Sequence, residues 1–395
     1  MIWRGRAVVL AGAAIAAIAS GGALWSSRAT TTAGAPVVTV GVNPVAMIAD
    51  GASGHVFVLS SGYGISAGVV TVLDAGTGRV IRTTPLGRFA LRMVVAGRAG
   101  RVFVSNEMSG GVDVLDARTG RLLGVALTGP AGPGALLGVA QRAGRVFVSQ
   151  WGPNRVATLD ARTGRVLRTV SLACGPQAGV ADERTGRVFV PCDGVNGRPS
   201  RLVLLDARSG ALVGSVAVPA GQPFAGRVCV NNRTGTAYME GIGTVSILDG
   251  RTGATRRTIA LGSRSYLPMA VDDATGRLLV VDATQGTVRV LDGTSGRPLG
   301  SMPLAPAPYG SYDIAVDKPS QRAFITGQGK TLVLDTRSGR QLRSIPVSGY
   351  VAVAGGARHF FIATAHEGQR VGLDAGLVHL HWGSDAGTVN VVDLP

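Results

Sequence analysis

Along most of the chain, short apolar runs alternate with Gly-rich polar turns, the signal of short strands joined by tight reversals. The region beginning at Leu91 shows the unit plainly. LRMVV (91 to 95), RVFVS (101 to 105), GVDVL (111 to 115) and RLLGVAL (121 to 127) read as four successive strands, lettered A to D from the inside outward.

The unit recurs. LDARTGR stands unchanged at 115 to 121 and at 159 to 165, and degenerate copies carry their Asp at Asp74, Asp206, Asp249, Asp292, Asp335 and, truncated, Asp393. Successive full copies lie 42 to 46 residues apart. A period in the forties made of four short strands predicts a β-propeller. A second set of turns, at Gly100-Arg101, Gly144-Arg145, Gly186-Arg187 and Gly276-Arg277, joins A to B. Because strands alternate in direction, A-to-B and C-to-D turns share one face of the disc. B-to-C and D-to-A connections share the other.

Counting A strands near Ala46, Val94, Val139, Val180, Val228, Ala270, Ala315 and Val353 gives eight blades, with seven as the alternative. PVVTVGVNPVAMIAD at 36 to 50 reads as the end of a D strand running into an A strand, while the last blade stops after its C strand at NVVDLP. Val37 to Val40 is therefore expected to complete the last blade and close the ring, which removes two open sheet edges. The expected fold is all-β, a single eight-bladed propeller over residues 36–395.

Repetition also decides the role of the Asp. In Asp-Ala-Arg-Thr-Gly its carboxylate accepts hydrogen bonds from N–H groups two and three residues on, and the Gly takes a positive φ that reverses the chain. One active site does not need eight copies; the Asp is read as a turn residue.

VDVLDARTG at 112 to 120, VGVNP at 40 to 44 and VFVSN at 102 to 106 resemble the YVTN-type β-propeller repeats of bacteria and archaea. The resemblance spans residues 36 to 395. It implies the scaffold and brings no catalytic residue with it, since such propellers serve as binding modules, surface proteins and domains of enzymes. The chain departs from the pattern where Phe57, Phe103, Phe147 and Phe189 stand for the Tyr, and where the final Asn survives only as Asn106.

Composition adds limits. A chain of 395 residues with 59 Gly, 16% charged and 46% hydrophobic residues suits tight-turned β structure and excludes disorder. Net charge is +16, carried by 37 Arg and two Lys, yet basic residues exceed acidic ones on both faces too evenly to define an electropositive side; nucleic acid is not an expected partner. Ala7 to Trp25 run uncharged behind Arg4 and Arg6. Residues 1–28 are thus expected to direct export, either cleaved after a site such as Ala17-Ile18-Ala19 or kept as an N-terminal membrane anchor, with 29–35 as linker.

Aromatic residues are unevenly placed. Phe57, Phe103, Phe147, Phe189, Phe324 and Phe360 fall in B strands, where packing between blades accounts for them. Trp151 and Trp382 fall in B-to-C loops, and Tyr63, Tyr266, Tyr309 and Tyr312 in loops of the same face. Amphipathic rings at one mouth suit recognition of a sugar or peptide. Trp151, Trp382, Tyr63, Tyr266 and Tyr309 are the candidate contacts, with Arg88, Arg264 and Asn106 as polar partners.

Blade eight carries an insertion near 364 to 387 that holds His366, His379 and His381. His379 and His381 share one side of an extended strand, a spacing that could ligate zinc or copper, or the segment simply lies over the mouth. No other cofactor is expected. Cys174 and Cys192 flank antiparallel neighbours in blade four and are expected to pair, leaving Cys229 as a buried thiol. There is no GxSxG elbow, phosphate loop, dinucleotide fingerprint or CxxCH. The leading expectation is an exported binding or scaffold module, free or membrane-tethered, for an extracytoplasmic protein or cell-wall polysaccharide. An enzyme at the propeller mouth, a lactone-acting hydrolase or metal-dependent oxidoreductase, is one alternative. A self-assembling cell-surface protein is the other.

Overall fold

The computed structural model describes residues 37–393 apart from 62–66, 107–109, 130–134, 196–197, 219–225, 264–266, 308–311, 354–358 and 365–385. Its strands form eight antiparallel sheets, each a blade of four strands in the order A to D. Blade 2 runs Ala90–Ala96, Arg101–Asn106, Gly111–Asp116 and Leu122–Leu127. In blade 4 the A strand is split into Gly175–Pro176 and Val180–Asp182. Blade 8 holds Tyr350–Val353, His359–Thr364 and Ala386–Asp393, and Val37–Val42 supplies its outer strand, with Val37 opposite Asn390 and Thr39 opposite Thr388. The chain is an eight-bladed β-propeller closed by its N-terminal strand.

Hydrophobic burial lies between blades. Each B strand is largely buried on both sides because it is sandwiched, whereas D strands, at the rim, alternate or stand open. Phe57, Phe103, Phe147, Phe189, Phe324 and Phe360 are fully buried. Phe57 packs with Val95 and Val104 of blade 2, and Phe147 with Val190 and Leu205 of blade 4. Each such ring contributes about 2 to 3 kcal/mol of transfer free energy.

The repeated turn holds its blade to the next one. Asp116 Oδ1 accepts from the N–H of Arg118 (3.1 Å) and Thr119 (2.9 Å) and from the Thr119 hydroxyl (2.9 Å), while Gly120 takes φ 68°. The pattern returns at Asp74, Asp160, Asp206, Asp249 and Asp292. At Asp74 the Thr77 hydroxyl, opposed by desolvation and aided by the N–H groups of Thr77 and Gly76, holds the carboxyl below its ordinary range. The other Asp116 oxygen takes Arg101, which opens the B strand directly opposite (3.1 Å); Arg145 meets Asp160 (3.3 Å) and Arg277 meets Asp292 (3.3 Å) in the same way. The same guanidinium reaches sideways: Arg101 Nε donates to the Arg162 carbonyl (3.1 Å) and Arg145 Nε to the Arg208 carbonyl (3.0 Å), each in the following blade. His55 opens the B strand of blade 1 and lies 3.0 Å through Nδ1 from the Ala117 carbonyl.

A second series of contacts circles the channel on this turn face. Gln141 donates to the Val95 carbonyl (2.7 Å), Glu183 accepts from the backbone of Gln141 (2.5 Å) and Arg142 (2.9 Å), and Asn232 accepts from the Glu183 N–H (2.8 Å). Asp273 accepts from the Asn232 N–H (3.2 Å) and from Lys318 (2.5 Å). Blades 2 to 7 are joined edge to edge by this belt.

Candidate functional site

Two regions carry groups that the repeat does not use: the face of B-to-C and D-to-A loops, and the central channel. On the loop face, Trp151 directly follows the B strand of blade 3, Arg145–Gln150, and is 40% exposed. Its indole lies over the backbone of Gly175, where any Cβ would overlap the ring. Gly175 follows Cys174, which is disulfide-bonded to Cys192 with Cα atoms 5.5 Å apart. The Gly175–Pro176 strand pairs with Cys192 and Asp193. Blade 4's rim is thus anchored covalently and by backbone bonds, and the Trp ring rests on it.

Asn106 and Arg88 lie on the same face, where the Asn106 side chain sits against Gly87, the residue before Arg88. Asn106, 4% exposed, donates through Nδ2 to Asp113 (2.9 Å). Burial drives the Asp113 carboxyl above its ordinary range, against the hydrogen bonds from Asn106 and the Gly87 backbone. Arg88 follows Gly87 and is exposed. Phe89 next to it takes φ 59°, the left-handed region that a bulky side chain seldom adopts. Asn106 is tied into the fold through Asp113, whereas Arg88 faces water. Trp382, Tyr63, Tyr266, Tyr309 and Arg264, together with His366, His379 and His381, lie outside the described residues. Among the described residues no group of three His, Cys, Asp or Glu could hold a metal ion, and no helix is long and apolar enough to cross a membrane.

The channel wall carries an open hollow of about 310 Å³ lined by the A strands of blades 4 to 7, chiefly by aliphatic residues such as Val180, Met269 and Ile314, with Cys229 among them. Ion pairs stand at its two ends. Lys318 and Asp273 close the turn face, and at the loop face Arg227 of blade 5 reaches past blade 6 to Asp313 of blade 7 (3.6 Å). Beside Arg227 lies Glu240, 4% exposed, its Oε2 without a partner among the described residues. Burial, partly relieved by Arg227, pushes the Glu240 carboxyl up to about 7. Burial, with Glu240 nearby, also drives the Cys229 thiol upward, so it is a protonated, inert packing group at neutral pH. Sequence reasoning passed over Glu240. Its signal was there: a carboxylate inside the strand Thr236–Gly241, TAYMEG, whose other residues are all buried.

The family model described as outer membrane protein assembly factor BamB matches residues 11–191 and again 152–381. No curated protein matches the chain in sequence. Among solved structures, the C-terminal WD40 domain of Sif2 superposes with a TM-score of 0.65 at 12% identity, covering 91% of this chain and 98% of that one. Dihydro-heme d1 dehydrogenase NirN in complex with DHE gives 0.60 at 15% identity over 82% and 69% of the two chains. Kuenenia stuttgartiensis hydrazine synthase gives 0.59 at 14% identity over 75% and 96%. At these identities the likeness is one of fold alone.

Proposed function

The chain belongs to the family described as outer membrane protein assembly factor BamB, and on that premise we propose that it is an extracytoplasmic propeller that binds a protein or polymer partner through its B-to-C and D-to-A loop face. Residues 1–28 serve as its export signal or anchor. Its blades are YVTN-type repeats on the motifs VDVLDARTG and VFVSN. The observation that carries the reading is Trp151, a half-exposed indole seated on Gly175 next to the Cys174–Cys192 bridge. A rigid ring on a braced rim offers contact area with little conformational entropy left to lose on binding.

The test is retention of proteins and polysaccharides from an extracytoplasmic extract on the immobilised full chain at low and high salt, beside Trp151→Ala. Salt-resistant retention that falls at least tenfold in the variant is expected. Retention that salt abolishes, or that Trp151→Ala leaves intact, would remove the aromatic face from the account.

A second reading, an enzyme acting at the channel mouth, draws on Glu240, whose carboxyl titrates in the range suited to a general base. Hydrolysis of a lactone panel lost in Glu240→Gln would favour it.

A further inference from the structure

The outer strand of blade 2, Leu122–Leu127, differs from every other described outer strand: LLGVAL holds no polar side chain, whereas the rest each carry Arg, Thr, Ser or Gln. Its side chains stand in water, with Leu123 54%, Val125 52% and Leu127 73% exposed. A sheet edge of this kind is normally blunted by charge, proline or a covering loop, because its unpaired N–H and C=O groups are a template for another strand. Here the Thr128 N–H donates inward to the Gly110 carbonyl (3.1 Å). Inward bonding in an antiparallel ladder falls on every second residue, so Ala126 and Gly124 also bond inward while Val125 and Leu127 turn their N–H and C=O outward.

Beside this edge runs a groove of about 630 Å³ between blades 2 and 3, lined by the strand itself and by Arg162 and Arg165 of the next blade's turn. Both arginines are exposed, neither forms an ion pair among the described residues, and no carboxylate lines the groove. The groove therefore presents open backbone, apolar side chains and uncompensated positive charge together.

We propose that this edge docks an extended segment of a partner protein whose side chains alternate between apolar and acidic, added antiparallel as a fifth strand to blade 2. Main-chain bonds form to Val125 and Leu127, apolar side chains cover Leu123 and Leu127, and carboxylates meet Arg162 and Arg165. A second copy of this chain is disfavoured as occupant: pairing two such edges sets the arginines of both copies close together in molecules of net charge +16. The surface is separate from the loop face and does not depend on Trp151.

The experiment is fluorescence anisotropy of a labelled seven-residue peptide alternating Glu and Val, titrated with the full chain, against the counterpart with Lys in place of Glu. The acidic peptide is expected to bind at least tenfold more tightly. Val125→Pro removes only an outward N–H, and Leu127→Lys places a charge on an exposed edge position; each is expected to weaken binding at least tenfold. Arg162→Gln with Arg165→Gln is expected to weaken it and flatten its salt dependence, while Trp151→Ala leaves it unchanged. Equal affinity for the two peptides, or binding indifferent to both edge variants, overturns the proposal. Sedimentation showing a dimer of the chain that Val125→Pro dissolves would overturn it as well, by assigning the edge to a second copy.

Discussion

At Glu240 a carboxyl group is carried into the interior of blade 5 because the strand places every second residue on a side that a neighbouring blade covers. Its carboxyl is raised from 4.5 to about 7 by burial. The folded state therefore binds the proton more tightly than the unfolded chain, and stability falls as pH rises from about 4.5 to about 7, then levels. We expect urea unfolding to show a loss of roughly 3 kcal/mol across that window, and Glu240→Gln to remove the slope. A slope of the same size in the variant would assign the effect to other groups. The repeated Asp residues were legible because eight copies of one motif leave only a local explanation. The two-way use of Arg101 and Arg145, bonded to their own blade and to the next, was not: the sequence shows the residue beside its turn, while the Arg162 and Arg208 carbonyls lie some sixty positions on.

Among elements, the A strand of blade 3 runs tightly against the backbone leading into the second half of blade 4's A strand. A Cβ at Gly138 would overlap the carbonyl of Gly179, whereas one at Gly124, on the open outer strand of blade 2, would meet nothing. Gly138→Ala is expected to cost about 1 to 3 kcal/mol through forced separation of backbones. Gly124→Ala is expected to be neutral or slightly stabilising, since it only reduces unfolded-chain freedom. Thermal unfolding of the two variants side by side checks the contrast. The strands themselves could be read from apolar runs, and their boundaries fall within a residue or two of those runs. The split of blade 4's A strand follows instead from Cys174 and Pro176, which bind to the end of the B strand while Val180–Asp182 pair with its beginning.

For the molecule as a whole, closure by Val37–Val42 turns eight open sheets into a ring. Val40 is 5% exposed and packs with Val389 and Val391 of blade 8 and with Val56 and Val58 of blade 1, so it seals two interfaces at once. Val40→Asp is expected to lower stability by about 3 kcal/mol or more, by burying an unpaired charge, and to promote association through the freed edge of blade 8. Val42→Asp, at a position 43% exposed, should do neither; calorimetry and light scattering read both effects. The sequence by itself determined the repeat unit, the strand order, the turn chemistry and the closing strand, because each depends on contacts within one repeat or on a break in the repeat's phase; the choice of eight blades over seven came from the eight sheets of the structure. Only the tertiary structure decided which groups of different repeats meet. Arg227 with Asp313, Trp151 on Gly175, the charge belt around the channel and the bare edge beside Arg162 and Arg165 are juxtapositions across blades, and periodic local chemistry carries no information about them.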